Sequence, residues 1–164
     1  MKQILLIATG GTIASKYTEH GLAPQISAEE IISYIPTAKE FCQIDTAAPF
    51  NLDSTNIDPS HWLLLAELIE KKYEYYDGFV ICHGTDTMAY SAAALSFMLN
   101  NLTKPVVFTG SQLPIGTIRT DGRENLIAAL EIAAATIEGK AVVPEVCILF
   151  GAKLFRGNRT TKIN

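Results

Sequence analysis

The strongest constraint on the fold is a pair of short apolar runs that end alike. Ile4-Leu5-Leu6-Ile7-Ala8 leads into Thr9-Gly10-Gly11-Thr12, and Gly78-Phe79-Val80-Ile81-Cys82 leads into His83-Gly84-Thr85-Asp86-Thr87. Runs of this length, bounded by turn residues, read as buried strands. An open parallel sheet binds ligands outside the carboxyl ends of its strands. Two threonines and a carboxylate therefore converge at one sheet edge. That set suits a threonine-nucleophile hydrolase better than a phosphate binder.

The remaining pattern extends the sheet. Residues 13–25 are polar, with Gly21 and Pro24, and read as a mobile loop. Ser27-Ala28-Glu29-Glu30 fits a capping box and opens a helix to about Ile35, stopped by Pro36. A second strand fits residues 41–47. Asp58-Pro59 supplies an N-cap and a proline for the first helical position, followed by Trp62, Leu65, Leu68 and Ile69 at helical spacing. Residues 86–100 read as a helix buried on most sides, because its interior is nearly all apolar. Residues 105–109 read as a strand, 121–137 as a helix and 146–150 as a last strand, before a polar, basic tail over 155–164. Strands alternating with helices predict an α/β fold: a doubly wound, mostly parallel sheet flanked by helices.

Bulk properties narrow the function. With 164 residues, 48% hydrophobic and 18% charged, the chain has the material for one globular core. A net charge of −4 without a basic stripe argues against nucleic acid as a partner. The N-terminal apolar run is too short for a signal peptide, and the longest uncharged stretch, 87–103, is too polar to span a bilayer. Cys42, Cys82 and Cys147 are odd in number and form no C-x-x-C pair, so they read as buried, reduced thiols in a cytoplasmic protein.

Each motif has a purely structural reading as well as a chemical one. Gly10-Gly11 allows a tight turn and close backbone approach, and the N–H groups near Gly11 and Thr12 could face an oxyanion. Thr85-Asp86 fits a helix N-cap. Asp53-Ser54-Thr55 fits a turn or cap, or a grip on the charged ends of a small ligand. His83 reads as a packed, hydrogen-bonded histidine rather than a base, and Lys162 as a solvated tail lysine. A threonine hydroxyl needs a neighbour to take its proton, and a lysine can be that neighbour. The glycine fingerprints of dinucleotide and phosphate loops are absent from these turns.

These residues resemble those of the bacterial L-asparaginase family, in its cytoplasmic type I branch. The matching runs are I-A-T-G-G-T-I-A (7–14), L-D-S-T-N (52–56), D-G-F-V-I-C-H-G-T-D-T-M-A-Y (77–90), V-F-T-G-S-Q (107–112) and R-G-N-R-T-T-K (156–162). The resemblance implies hydrolysis of L-asparagine to L-aspartate and ammonia. It implies that Thr12 is the nucleophile, that Thr85 and Lys162 handle protons, and that Asp86 lies between lysine and substrate. Asp53, Ser54 and Thr55 are implied to hold the substrate's α-groups. Gly11, Gly84 and Ser111 are implied to line the pocket with backbone. No metal or organic cofactor is implied, and the partners are a small-molecule substrate and further copies in a homodimer or homotetramer.

Two features depart from the family pattern. Where its mobile loop carries an activating tyrosine, this chain has Leu22, and Tyr17, five residues earlier, is the candidate replacement. The chain is also about half the family's length, so residues 1–164 read as the N-terminal catalytic domain, truncated near its C-terminal end and lacking a smaller C-terminal α/β domain. Two rival readings stand beside this one. An asparaginase-like amidase of a tRNA-dependent amidotransferase carries an added N-terminal domain, whereas this chain starts at its first strand. A truncated, inactive binding or assembly domain is the reading without catalysis.

Overall fold

The computed structural model describes residues 1–163. Its central sheet is built from β1 (Lys2–Ala8), β4 (Cys42–Ala47), β5 (Gly78–Cys82), β6 (Val106–Thr109), β9 (Val146–Phe150) and β10 (Lys153–Arg156). Two small hairpins lie outside it: β2 (Ser15–Thr18) with β3 (Gly21–Pro24), and β7 (Thr136–Ile137) with β8 (Lys140–Ala141). The helices are α1 (Ala28–Ser33), α2 (Pro59–Lys72), α3 (Met88–Met98) and α4 (Gly122–Ala134).

The sheet order is β10-β9-β6-β5-β1-β4, with all pairings parallel except β9 with β10. Strand order therefore reverses between β1 and β5, the point at which open α/β sheets form their crevice. Both strands are buried on both faces, because helices cover both. Their side chains alternate between two cores. Ile4, Leu6, Val80, Val107 and Leu149 pack with Ile31 of α1 and Leu126 and Leu130 of α4. Leu5, Ile7, Phe79, Ile81, Phe108 and Ile148 pack with Leu65 and Ile69 of α2 and Ala92 and Leu95 of α3. The fold is the doubly wound α/β class that the alternation of runs predicted.

The three cysteines are free and buried, each on a strand. Burial pushes the Cys42 thiol up to about 11 and those of Cys82 and Cys147 up to about 12.

Several local expectations need correction, among them the helix expected over 121–137, which ends at Ala134 before β7. Residues 13–25 are not one loop: a short 3-10 turn, Thr12–Ala14, leads into the β2–β3 hairpin, whose foot buries Ile13, Ala14 and Ser15. The capping box of α1 is half formed. Ser27 accepts the Glu30 N–H, but the Glu30 carboxylate pairs with Lys16 at 3.0 Å. That helix ends at Ser33, and the run to Glu40 tightens into a 3-10 turn. The α3 helix is not buried on most sides: Tyr90 is 68% and Phe97 74% exposed, because the sheet covers only one of its faces. The strand 146–150 is not the last, since the tail first doubles back as antiparallel β10. The reciprocal cap occurs instead at α2, where Asp58 accepts the Ser60 N–H and His61 Nδ1 accepts the Asp58 N–H.

Candidate active site

Three loops meet at the switch point, and glycines let them touch. After β1, Thr9 hydrogen-bonds the Cys82 carbonyl through its N–H and its hydroxyl, at 3.0 and 2.7 Å. Leu52 N–H donates to Thr9 O and Gly11 N–H to Leu52 O, which lashes the 51–56 loop to the end of β1. Gly11 sits at φ 77°, and a Cβ there would stand 2.5 Å from the Gly84 backbone. A Cβ on Gly84 would in turn meet Ser54 Cβ at 2.7 Å. The three segments therefore stack closely, Gly11 on the Gly84 backbone and Gly84 on the Ser54 side chain, with no room for a side chain at either glycine.

Thr9 and Ser15 spend their hydroxyls on the frame, on Cys82 O and Gly11 O respectively. Thr12 opens the 3-10 turn between them and is half-buried. The bulkier wall comes from β5. Thr85 is half-buried, and its Oγ1 accepts from Lys162 Nζ at 3.0 Å. Lys162 also donates to Asp86 Oδ1 at 2.6 Å. A residue that composition makes a tail lysine thus crosses 77 positions of sequence to reach Thr85. Its side chain is 32% exposed and that of Asp86 56%, so the pair contributes at most about 1 kcal/mol to stability. Its effect is to hold an amine beside a hydroxyl. Asp86 does not cap α3, whose N-cap is Thr87 without a side-chain hydrogen bond.

The 53–55 segment is a cap and an exposed polar lip at once. Asp53 Oδ1 accepts the N–H and hydroxyl of Thr55, both at 2.9 Å, and caps a 3-10 turn. Ser54 is buried against Gly84, and its carbonyl accepts the Thr87 hydroxyl at 2.7 Å. Asp53 and Thr55 face solvent. Ser111 is buried and donates its hydroxyl hydrogen to Leu113 O. Tyr17 is 68% exposed on the hairpin, directly across from Leu22. A cleft of 430 Å³, lined by Thr85, Met88, Gln112, Phe155, Arg159 and Lys162 among others, opens beside the lysine.

Sequence reasoning missed the groups that hold these loops. Asp121 accepts the N–H groups of Gln112 and Leu113, at 2.8 to 3.1 Å, and so fixes the loop that carries Ser111. Asn125 bridges Gly110 O and Gly151 N, joining the ends of β6 and β9. In sequence both read as the first turn of a helix, and nothing marks their partners. Burial pushes the His83 imidazole down to about 4, consistent with the packed histidine expected there.

Comparison with known proteins gives the family. The family pattern described as "Asparaginase, N-terminal" matches residues 3–164. L-asparaginase 1 of Escherichia coli K12 is 42% identical over 174 aligned positions, covering 98% of this chain and 47% of that protein. The crystal structure of L-asparaginase I from Vibrio cholerae superposes with a TM-score of 0.87 at 41% identity, covering 99% of this chain and 48% of the other. A glutamyl-tRNA(Gln) amidotransferase subunit of Archaeoglobus fulgidus is 38% identical over 171 positions, 99% of this chain and 40% of that protein. The chain thus spans about half the length of the asparaginases it matches. On the match over residues 3–164, and with relatives of the same fold at about 40% identity, the chain belongs to the asparaginase family.

Proposed function

We propose that this chain carries the nucleophile and the proton-handling groups of an enzyme that hydrolyses L-asparagine to L-aspartate and ammonia. The observation that carries the reading is Lys162 Nζ, 3.0 Å from Thr85 Oγ1 and 2.6 Å from Asp86 Oδ1, beside the stacked Gly11–Gly84 turns. Thr12 Oγ1 attacks the side-chain amide carbon. Its proton leaves, the C–N bond breaks, and ammonia departs after gaining a proton. The resulting β-aspartyl ester is cleaved by water, which regenerates the Thr12 hydroxyl. Lys162 in its neutral form accepts a proton passed through Thr85, and Asp86 orients the lysine or the substrate ammonium. Asp53, Ser54 and Thr55 hold the α-carboxylate and α-amino groups, and backbone of Gly11, Gly84 and Ser111 lines the pocket. No step calls for a metal or organic cofactor.

Tyr17 is the proposed loop activator of Thr12. Its support is the hairpin register, which sets Tyr17 opposite Leu22 on the same face, where directly paired residues lie about 5 Å apart. A phenol from position 17 thus leaves the rung at which the family's tyrosine stands. Further copies in a homodimer or homotetramer complete the proposed enzyme. A cytoplasmic location is supported by three unpaired buried thiols. No helix among the described residues is long and apolar enough to cross a membrane.

The test is ammonia release from L-asparagine by this chain, alone and with the C-terminal portion of a relative, beside a Thr12→Ala variant. Turnover that vanishes in the variant is the expected result. No turnover in either form, with aspartate still bound, would leave a binding domain. The likeness to the amidotransferase component supports a second reading, which predicts ammonia release only together with a tRNA-dependent partner.

A further inference from the structure

The His83 side chain is buried beneath the catalytic loops, and both its nitrogens are engaged. Nδ1 lies 2.7 Å from Gly84 O and Nε2 2.8 Å from Ser91 Oγ. A carbonyl only accepts, so Nδ1 carries the hydrogen. Trp62 Nε1, which only donates, lies 2.8 Å from the same Ser91 Oγ. Ser91 therefore accepts from Trp62 and gives its own hydrogen to Nε2. Every hydrogen runs one way, from Trp62 through Ser91 and His83 to Gly84 O. The ring is also held edge-on to Phe108, with centroids 5.7 Å apart.

The series joins α2, α3 and the end of β5, and it terminates on the peptide bond that carries Thr85. Stability alone does not call for such a network, because apolar groups of the same shape can replace a buried hydrogen-bonded set at little cost. What it adds is direction. Gly84 is closely confined: a Cβ on Gly11 would stand 2.5 Å from it, and a Cβ of its own 2.7 Å from Ser54. The imidazole N–H sets the remaining freedom, the tilt of the Gly84–Thr85 peptide plane.

We propose that His83, oriented by Ser91 and Trp62, is a positioning residue that holds the Gly84–Thr85 peptide so that Thr85 Oγ1 meets Lys162 Nζ. Its catalytic consequence rests on the function proposed above, whereas the geometry does not.

Two measurements on the full chain test it. Nitrogen NMR of histidine-labelled protein is expected to show His83 as the neutral Nδ1–H tautomer throughout about pH 5 to 8, where an ordinary histidine titrates. An Nε2–H tautomer, or protonation in that range, overturns the proposal. The second compares His83→Asn with His83→Gln. The asparagine amide N–H stands where Nδ1 was, and the glutamine amide where Nε2 was. Positioning through Gly84 predicts that the Thr85 amide and Lys162 amine resonances stay near their original places in His83→Asn and move in His83→Gln. A merely space-filling role predicts the reverse, since glutamine fills more of the cavity, and equal disturbance overturns the proposal too. Where asparagine hydrolysis is established, kcat falls by about 10²-fold in His83→Gln with KM unchanged, the cost of a misplacement near 1 Å, and by less in His83→Asn. Failure of the unaltered chain to hydrolyse asparagine counts against the proposed function and leaves the NMR result to decide this one. If neither variant folds, the tautomer decides alone.

Discussion

The two sides of the site are held by different physics. The Thr12 side is close contact at glycines: Gly11 against the Gly84 backbone, Gly84 against the Ser54 side chain, and Leu52 bonded to both Thr9 and Gly11. The Lys162 side is a mostly exposed strap after β10: Gly157 is buried with its N–H on Val146 O, and beyond it Thr160 bonds back to Arg156 O and Lys162 makes two side-chain hydrogen bonds. The first side is fixed once the sheet forms, because van der Waals contact does not respond to salt or to protonation. The second depends on charge and on a long side chain that must give up its rotamer freedom. On the proposed function, the rigid wall carries the nucleophile and the adjustable one the proton-handling amine.

The contrast breaks most sharply at the glycines. Gly11→Ala combines φ 77° with a Cβ 2.5 Å from the Gly84 backbone. It is expected to cost about 4 kcal/mol in urea unfolding, among the largest single-residue effects. Gly21→Ala carries φ 101° but has nothing within 4 Å, so only backbone strain remains, about 1 to 2 kcal/mol. Equal losses in the two variants would mean that strain, not the stacking of loops, governs Gly11.

Beneath the rigid wall, protonation enters through His83. Burial lowers its folded value from 6.5 to about 4, so between those values the unfolded chain binds a proton that the folded chain refuses. Stability contributed by this group is present above pH 6.5 and is lost as pH falls toward 4, by about 3 kcal/mol in all. The check is the difference in unfolding free energy between the natural chain and His83→Asn across that window. A difference that does not change with pH would show that His83 is not held neutral by its burial.

The smallest effect belongs to the adjustable wall. Asp86→Asn removes the carboxylate from a half-exposed pair, and chemical unfolding is expected to shift by no more than about 1 kcal/mol. Fluorine or nitrogen labels on Lys162 should nevertheless report a looser amine, and raising salt on the natural chain should mimic the variant. A loss as large as that of Gly11→Ala would erase the distinction between the two sides.

Much of this is legible in the order of residues alone. The runs at 4–8 and 78–82 read as buried strands, since they are uninterrupted, apolar and closed by glycine turns, and the crevice of an open sheet lies at their carboxyl ends. The hairpin at 15–24 was not legible, because its residues are polar and owe their pairing to the buried foot at Ile13 and Ala14. The exposure of Tyr90 and Phe97 was hidden for the opposite reason: a nearly all-apolar helix has no polar stripe to say which face the sheet covers.

What the sequence determined by itself is local: alternating strands and helices, turns that only glycine can make, and hydroxyl groups placed just beyond two strand ends. The tertiary structure alone decided which of them meet. Lys162 reaches Thr85 across 77 residues, Asp121 grips a loop nine residues before it, and Trp62 and Ser91 orient a histidine from two different helices. Periodicity records which face of an element is buried. It records nothing of which polar atoms on separate elements come within hydrogen-bonding distance, because that follows from sheet order and packing, which are properties of the whole chain.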